Sequence, residues 1–259
     1  MWMDDPARWP LLAAALEKAG EFGLDTETFG QPDKTSPQHR ARIHCWSIGL
    51  LTEGRHPRGY HIGVGRVLPR AALDCPAIRA VLRNPHIIKW AHNSPHDHHS
   101  LLNEGIEVAN MQDSLQYARV AAPGMRAYGL KDMEQWALGY PARPSFKDMV
   151  SYDKEAVVVR ASTERGCVCG DKPCRARATT DFLDDLGNWR PHTRVTWRRF
   201  HPEPKLVPGK YDVADFAPGH PRWAEWVQYS LMDAVRGIEL VDWIRNRKPS
   251  TLPYQWRPL

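Results

Sequence analysis

The sequence predicts an α/β protein: a mixed central sheet flanked by helices, interrupted late in the chain by a basic insertion that contains cysteines. Three observations carry that expectation. Over residues 1–150, short β-branched and apolar runs alternate with stretches of helical spacing. Pro221 to Ile244 holds the longest helical pattern of the chain. Between them, Ser151 to Pro221 is rich in Pro, Arg and Gly and reads as irregular. A length of 259 residues suits one α/β domain with an insertion, or two small domains. The core is expected over 1–150 and 220–259, and the insertion over 151–219.

The elements follow in order. Trp9 to Ala19 has helical spacing, and Glu21 to Asp25 is a strand. "RIHCWSIGLL" and "GYHIGVG" read as two strands of an antiparallel hairpin whose loop contains Gly54 and Pro57. A helix is expected around Pro76 to Arg83, with Asp74 or Cys75 near its start. "HIIKWAHN" is a buried strand that ends in polar residues, and "HDHHSLLNEG" a helix closed by Gly105. "VANMQDSLQYARV" runs from a short strand into a helix. "GLKDMEQWALG" is amphipathic, with Leu130, Met133, Trp136 and Ala137 at helical spacing.

Composition excludes several classes. No segment approaches the roughly 18 apolar residues of a membrane span. The N-terminus, MWMDDPARWP, has acids where a secretory signal carries positive charge, which predicts a cytoplasmic protein. Five cysteines, an odd number with three inside "CVCGDKPC", fit a reducing compartment and a local thiolate site better than a disulfide framework. The 22 prolines and 11 tryptophans predict long ordered loops and aromatic surfaces. Net charge is +5, and the stretch Arg160 to Lys210, with eleven Lys/Arg against six Asp/Glu, carries an equal excess. Arg190, Arg194, Arg198 and Arg199 interleave there with Trp189, Trp197 and Phe200. Cations for phosphates beside flat rings for bases are what single-stranded nucleic acid requires; a solvated basic loop is the alternative.

Three acidic constellations stand out. "GLDTET" ends a strand in Asp25 and Glu27, whose i, i+2 spacing points both carboxylates to one face. Such oxygen pairs bind hard divalent cations. "AHNSPHDHHSLL" places Asp97 just inside a helix that follows a buried strand. In "YSLMD", Tyr229 and Asp233 are i, i+4 on one helix face. Singly, each could be a strand-end, helix-start or surface acid. In order along an α/β pattern they are harder to dismiss.

With these motifs the chain resembles the proofreading 3′–5′ exonuclease domain of family A DNA polymerases, within the DEDD exonuclease superfamily that includes ribonuclease D. "LDTET" matches Asp-x-Glu, "HNSPHD" matches Asn-x-x-x-Asp, and "YSLMD" matches the Tyr-x-x-x-Asp of the tyrosine subclass. "LLNEGIEVANMQDSLQYARV" and "GLKDMEQWALG" also resemble family segments, so the likeness covers roughly 20–150 and 220–245. It implies a ribonuclease H-like fold in which Asp25, Glu27, Asp97 and Asp233 hold two Mg²⁺ or Mn²⁺ ions. Asp25 would bridge both, Glu27 and Asp233 would complete one site, and Asp97 would act through water on the other. Tyr229 would orient the attacking water, and Thr26 and Asn93 would contact substrate. Two ions roughly 3.5–4 Å apart generate a hydroxide and neutralise the leaving oxygen. A zinc site built on His92, His96, His98 and His99 has less support, because the resemblance already accounts for Asn93 and Asp97.

The chain departs from the family in two places. His96 stands where an aromatic residue usually precedes the second-motif acid, and Asp113 matches a family acid of structural or indirect role. More importantly, 151–219 is longer than the family's link. It holds Cys167, Cys169 and Cys174, which with His192 or His201 would form a tetrahedral zinc site; three free thiols are the alternative. Arg190, Arg194, Trp197 and Arg198 are expected to contact a strand, although protein docking would also suit this segment. The expected activity is a 3′–5′ exonuclease that releases nucleoside monophosphates, from DNA rather than RNA, standing alone or working with a separate polymerase or repair protein. An exoribonuclease of ribonuclease D type, or a non-catalytic nucleic-acid-binding protein that kept the fold, are the alternatives.

Overall fold

The computed structural model describes residues 1–29, 42–123, 125, 127–167, 181–183, 189–191 and 194–246, with the backbone alone over 158–201. Its elements are α1 (Trp9–Ala19), β1 (Glu21–Phe29), β2 (Arg42–Arg55), β3 (His61–Pro69), α2 (Pro76–Arg83), β4 (Ile88–Ala91), α3 (Ser94–Asn103) and β5 (Met111–Asp113). Then follow α4 (Ser114–Ala121), α5 (Leu130–Met133), α6 (Phe146–Val150), β6 (Ser151–Cys167), β7 (Asp181–Leu183), β8 (Trp189–Pro191), β9 (Arg194–Lys210) and α7 (Trp223–Asn246). The chain divides into two compact units, Met1–Val150 with the chain from Tyr211 onward, and Ser151–Lys210.

The first unit is built on a five-stranded sheet of order β3-β2-β1-β4-β5. β2 runs antiparallel to β1 and β3, and β1, β4 and β5 are parallel. This is the mixed, ribonuclease H-like arrangement that the sequence predicts. The hairpin differs from expectation in one respect: β2 continues to Arg55, so Gly54 lies in the strand and the turn begins at His56. One face of the sheet packs on α1, α2 and α3 around Leu16, Phe22, Leu24, Ile48, Leu73, Ile78 and Leu101.

The other face carries α7 in a trench of glycines. A side chain at Gly23 would meet the Ala234 carbonyl oxygen, and one at Gly49 would lie 2.7 Å from Val235 Cα. Gly63 and Gly65 are likewise covered by Val235, Glu239 and Leu231. Glycine in a strand marks a close approach of another backbone, and here four of them let α7 sit directly on β1, β2 and β3. The helix is then pinned by polar groups. Ser47 Oγ donates to the Ser230 carbonyl at 2.7 Å. The N–H groups of Gly63 and His61 on edge strand β3 donate to Glu239 and Asp242 of α7 at 2.6 and 2.7 Å. These two carboxylates also block an edge that would otherwise be open to pairing.

Tyr211 to Gly219, read from sequence as part of the insertion, packs in the first unit instead. Val213 and Phe216 are buried with Met149, Val150 and Trp226, and Phe216 stacks on Trp226 at 4.4 Å. Within the second unit the sequence predicts irregular chain, whereas β6 and β9 form a two-stranded antiparallel ribbon, paired from Ser151↔Lys210 to Cys167↔Arg194. Its prolines conceal it. Pro202, Pro204 and Pro208 in β9 argue against a strand, but they share one parity, so their missing N–H groups can all fall on the ribbon's open edge. Among the described residues no helix is long and apolar enough to cross a membrane.

Candidate metal centre

Strand parity builds the first part of the site. Gly23 faces α7, so the alternation of β1 turns Asp25 and Glu27 to the same side, toward the helix. On α7, Asp233 precedes Ala234, whose carbonyl oxygen lies over Gly23. Close seating of the helix thus brings the third acid to the first two, and oxygens of Asp25, Glu27 and Asp233 lie within 4.8 Å of one another. Among the described residues this is the one group of His, Cys, Asp or Glu side chains that could hold a metal ion.

Asp97 reaches the site by another route. β4 pairs with β1 only at Glu21, Phe22 and Gly23, so beyond Gly23 that edge of β1 has backbone donors without a strand partner. Asp97 Oδ1, in the first turn of α3, accepts from both the Thr26 N–H and the Thr26 hydroxyl at 2.8 Å. Asp97 is therefore held to the residue between Asp25 and Glu27, outside the three-acid cluster. Thr26, expected at the substrate, is buried and spends both donors on Asp97. Asn93 precedes α3 with a left-handed φ of 71°, and its N–H donates to Asp113 at 3.0 Å. Asp113 also caps α4 through the Leu115 N–H. The Asn93 residue is exposed.

Two cations complete the arrangement, and neither belongs to a motif. Arg143 is held by Glu134, which accepts from Nε and Nη2 at 2.6–3.0 Å, and its Nη2 also donates to Asp233 Oδ1. The side chains of Arg143, Glu134 and Asp233 are 15%, 2% and 16% exposed, so this is a partly buried ionic triad with Glu134 fully enclosed. Lys131 Nζ donates to the Tyr229 hydroxyl at 3.3 Å and lies 4.4 Å from the centre of its ring. Lys131 and Glu134 are i, i+3, on one face of the turn that begins α5 and widens into a π-helical turn at Glu134–Leu138. That spacing, in a helix otherwise read for its apolar positions, is the sequence signal that could have found Lys131. Arg143 follows Pro141 in an irregular link and has no such signal.

Burial and mutual repulsion dominate the electrostatics. Burial, followed by repulsion from Asp233, Asp97 and Glu27, holds the Asp25 carboxyl well above the usual range, while Arg143 pulls the other way. Burial and Asp233 raise Glu27 to about 8, against a hydrogen bond from Ser230. Burial raises Asp97 to about 7 despite its two bonds from Thr26. The same burial and negative field keep the Tyr229 hydroxyl protonated. Crowded carboxylates with raised pKa values are a site short of positive charge.

The donor set fits a divalent metal. All groups offer hard oxygens, and buried Glu27 Oε1 has no hydrogen-bond partner. A buried acceptor left unpaired is costly unless something else fills its place. The histidines do not assemble in the same way: His92 is taken by Ser114 Oγ and the Tyr128 carbonyl at 3.0 and 2.8 Å, and His99 by the Pro95 carbonyl. Of the expected zinc ligands, Cys169, Cys174 and His192 lie outside the described residues. Cys167 ends β6, and Arg190, Arg194, Trp197 and Arg198 fall in β8 and β9, all with side chains outside the described atoms.

No protein-family model matches the chain, and no curated protein matches it. Among solved structures it is similar to the POL domain of Pol1 from M. smegmatis, at 18% identity and TM-score 0.42 over 55% of this chain and 23% of that one. It is similar to Escherichia coli RNase D at 18% identity and TM-score 0.41, over 54% and 33%. Brucella melitensis NrnC bound to pGG is similar at 19% identity and TM-score 0.42, over 57% and 63%. The chain thus spans less than two thirds of each of these proteins.

Proposed function

We propose that the protein is a metal-dependent nuclease, and more particularly a 3′–5′ exonuclease of the tyrosine DEDD type that hydrolyses phosphodiester bonds at the 3′ end of DNA. One observation carries this reading: oxygens of Asp25, Glu27 and Asp233 converge within 4.8 Å of one another, and a buried Glu27 oxygen there has no hydrogen-bond partner. Asp97, from the second motif, and Tyr229, which shares the third motif with Asp233, stand beside them. Asp25, Glu27 and Asp233, with Asp97 at their margin, would hold two Mg²⁺ or Mn²⁺ ions. When bound, such ions lower the pKa of water and neutralise the charge that develops on the leaving oxygen.

The protein's own groups do the rest. Arg143 and Thr26 fix the rotamers of Asp233 and Asp97. The Tyr229 oxygen already accepts from Lys131, so its proton is free to be given to a water or phosphate oxygen beside the acids. Trp226 stacks on the Tyr229 ring at 5.8 Å and limits its rotation. The test uses 3′-labelled and 5′-labelled single strands of DNA and RNA with Mg²⁺, Mn²⁺ or EDTA, comparing wild type with Asp25→Ala. Stepwise shortening from the 3′ end is expected in metal alone and is absent from the variant. Cleavage that persists in EDTA would overturn the reading, and faster loss of the RNA would move the substrate to the ribonuclease D class.

A further inference from the structure

Lys131 is left half-used by the fold. It is partly buried, beside a group of carboxylates, and its surroundings carry both signs: Asp233, Glu134 and Glu27 attract the ammonium, and Arg143 repels it. Yet among the described residues its Nζ makes no ion pair, and its one hydrogen bond goes to the Tyr229 hydroxyl at 3.3 Å. An ammonium has three donors, so two are without a protein acceptor. The neighbouring guanidinium is engaged more fully, since Arg143 Nε and Nη2 donate to Glu134 and Asp233 and Nη1 to the Tyr229 carbonyl at 3.5 Å.

Resting on the exonuclease reading above, we propose that Lys131 is a catalytic residue that donates directly to a non-bridging oxygen of the terminal phosphodiester. The placement follows from Tyr229. A phosphate oxygen that accepts the free Tyr229 proton would lie next to the Tyr229 oxygen, and Nζ is already on that oxygen. One phosphate can therefore accept from both groups, with the ammonium supplying charge and the phenol supplying direction. The negative charge that a phosphate brings to four carboxylates is offset on this side by Lys131. A lysine suits this role, because a point charge on a flexible stem can follow the phosphate as the scissile bond lengthens. A lysine whose work was only to hold Tyr229 would show no dependence on the strand's charge.

The experiment measures binding of a 3′-labelled single strand over a salt series in Ca²⁺, for wild type, Lys131→Met, Lys131→Gln and Lys131→Arg. Mn²⁺ affinity and thermal midpoint are followed in parallel. Each phosphate contact contributes about 0.7 to the slope of log affinity against log salt for single strands. Loss of the lysine should flatten the slope by about that amount and weaken binding about tenfold at low salt, with Mn²⁺ affinity within about twofold of wild type. Lys131→Arg should retain the wild-type slope. Lys131→Gln provides the same comparison if the methionine variant does not fold. A wild-type slope in the folded neutral variants would overturn the proposal. If wild type itself neither binds nor shortens strands, the exonuclease reading falls; if it does both and Lys131→Met keeps its slope, only the assignment of Lys131 falls.

Discussion

Replacing Arg143 by methionine would keep most of the side chain's length and remove its charge. The consequence can be worked from the triad. Glu134 is 2% exposed and gives both carboxylate oxygens to Arg143, and Asp233 gives a third. Without the guanidinium, Glu134 is a buried charge with no partner, and Asp233 faces Asp25 and Glu27 without relief. Removing one member of a buried ion pair costs about 3–5 kcal/mol, far more than the roughly 0–1 kcal/mol of a surface pair. At about 2–4 °C per kcal/mol for a core of this size, the thermal midpoint should fall by roughly 6–20 °C. The assay is thermal and urea unfolding in EDTA, for wild type, Arg143→Met and the double variant Glu134→Gln/Arg143→Met. The double variant should recover much of the loss, because the expensive element is the uncompensated charge rather than the missing bond. A loss below about 1 kcal/mol in Arg143→Met would refute the reasoning, since it would place the triad among exposed pairs.

Three further outcomes follow from the same geometry. The folded, metal-free protein holds protons on Asp97 and Glu27 up to about pH 7 and 8, which the unfolded chain releases near ordinary carboxylate values. Their contribution to stability is thus complete below about pH 4 and is lost as pH rises through 7 and 8. The urea midpoint in EDTA should accordingly fall between pH 5.5 and 9, and saturating Mn²⁺ should flatten that fall; a midpoint that rises with pH would contradict it. Asp25→Asn should abolish cleavage and Mn²⁺ binding yet raise the metal-free midpoint at pH 8, because it removes an acid whose ionised form burial and its acidic neighbours disfavour; a lowered midpoint would show that burial and repulsion do not dominate. Gly23→Ala should cost about 1–3 kcal/mol or more and weaken Mn²⁺ binding, although it alters no ligand, because its methyl would push α7 away from β1. Calorimetry of folding and metal titration would check both effects, and unchanged Mn²⁺ affinity would argue against the trench as the device that places Asp233.

Much of the candidate site was legible because its parts are local. Asp25 and Glu27 share a face by the period of a strand, and Tyr229 and Asp233 by the period of a helix, whatever surrounds them. The sheet order was legible at the level of class, from the alternation of strands and helices. Less legible was anything set by what one element finds on another. Gly23, Gly49, Gly63 and Gly65 look like weak strand residues until α7 is laid across them. Thr26 looks available for substrate until the short pairing of β4 leaves its N–H for Asp97. The β6–β9 ribbon is hidden by prolines whose shared parity has meaning only once a register is known.

The sequence by itself determined which acids exist, on which faces they lie, and that they recur in an order suited to one centre. Tertiary structure alone decided that Asp25, Glu27 and Asp233 meet within 4.8 Å while Asp97 is tied to Thr26 at their margin. It alone selected Arg143 from an irregular link, and it turned Lys131, whose spacing to Glu134 the sequence does show, toward Tyr229 beside the acids. The physical reason is range. Periodicity acts between residues a few positions apart and can be read along the chain, whereas charge pairing and close packing act through space and depend on the whole fold.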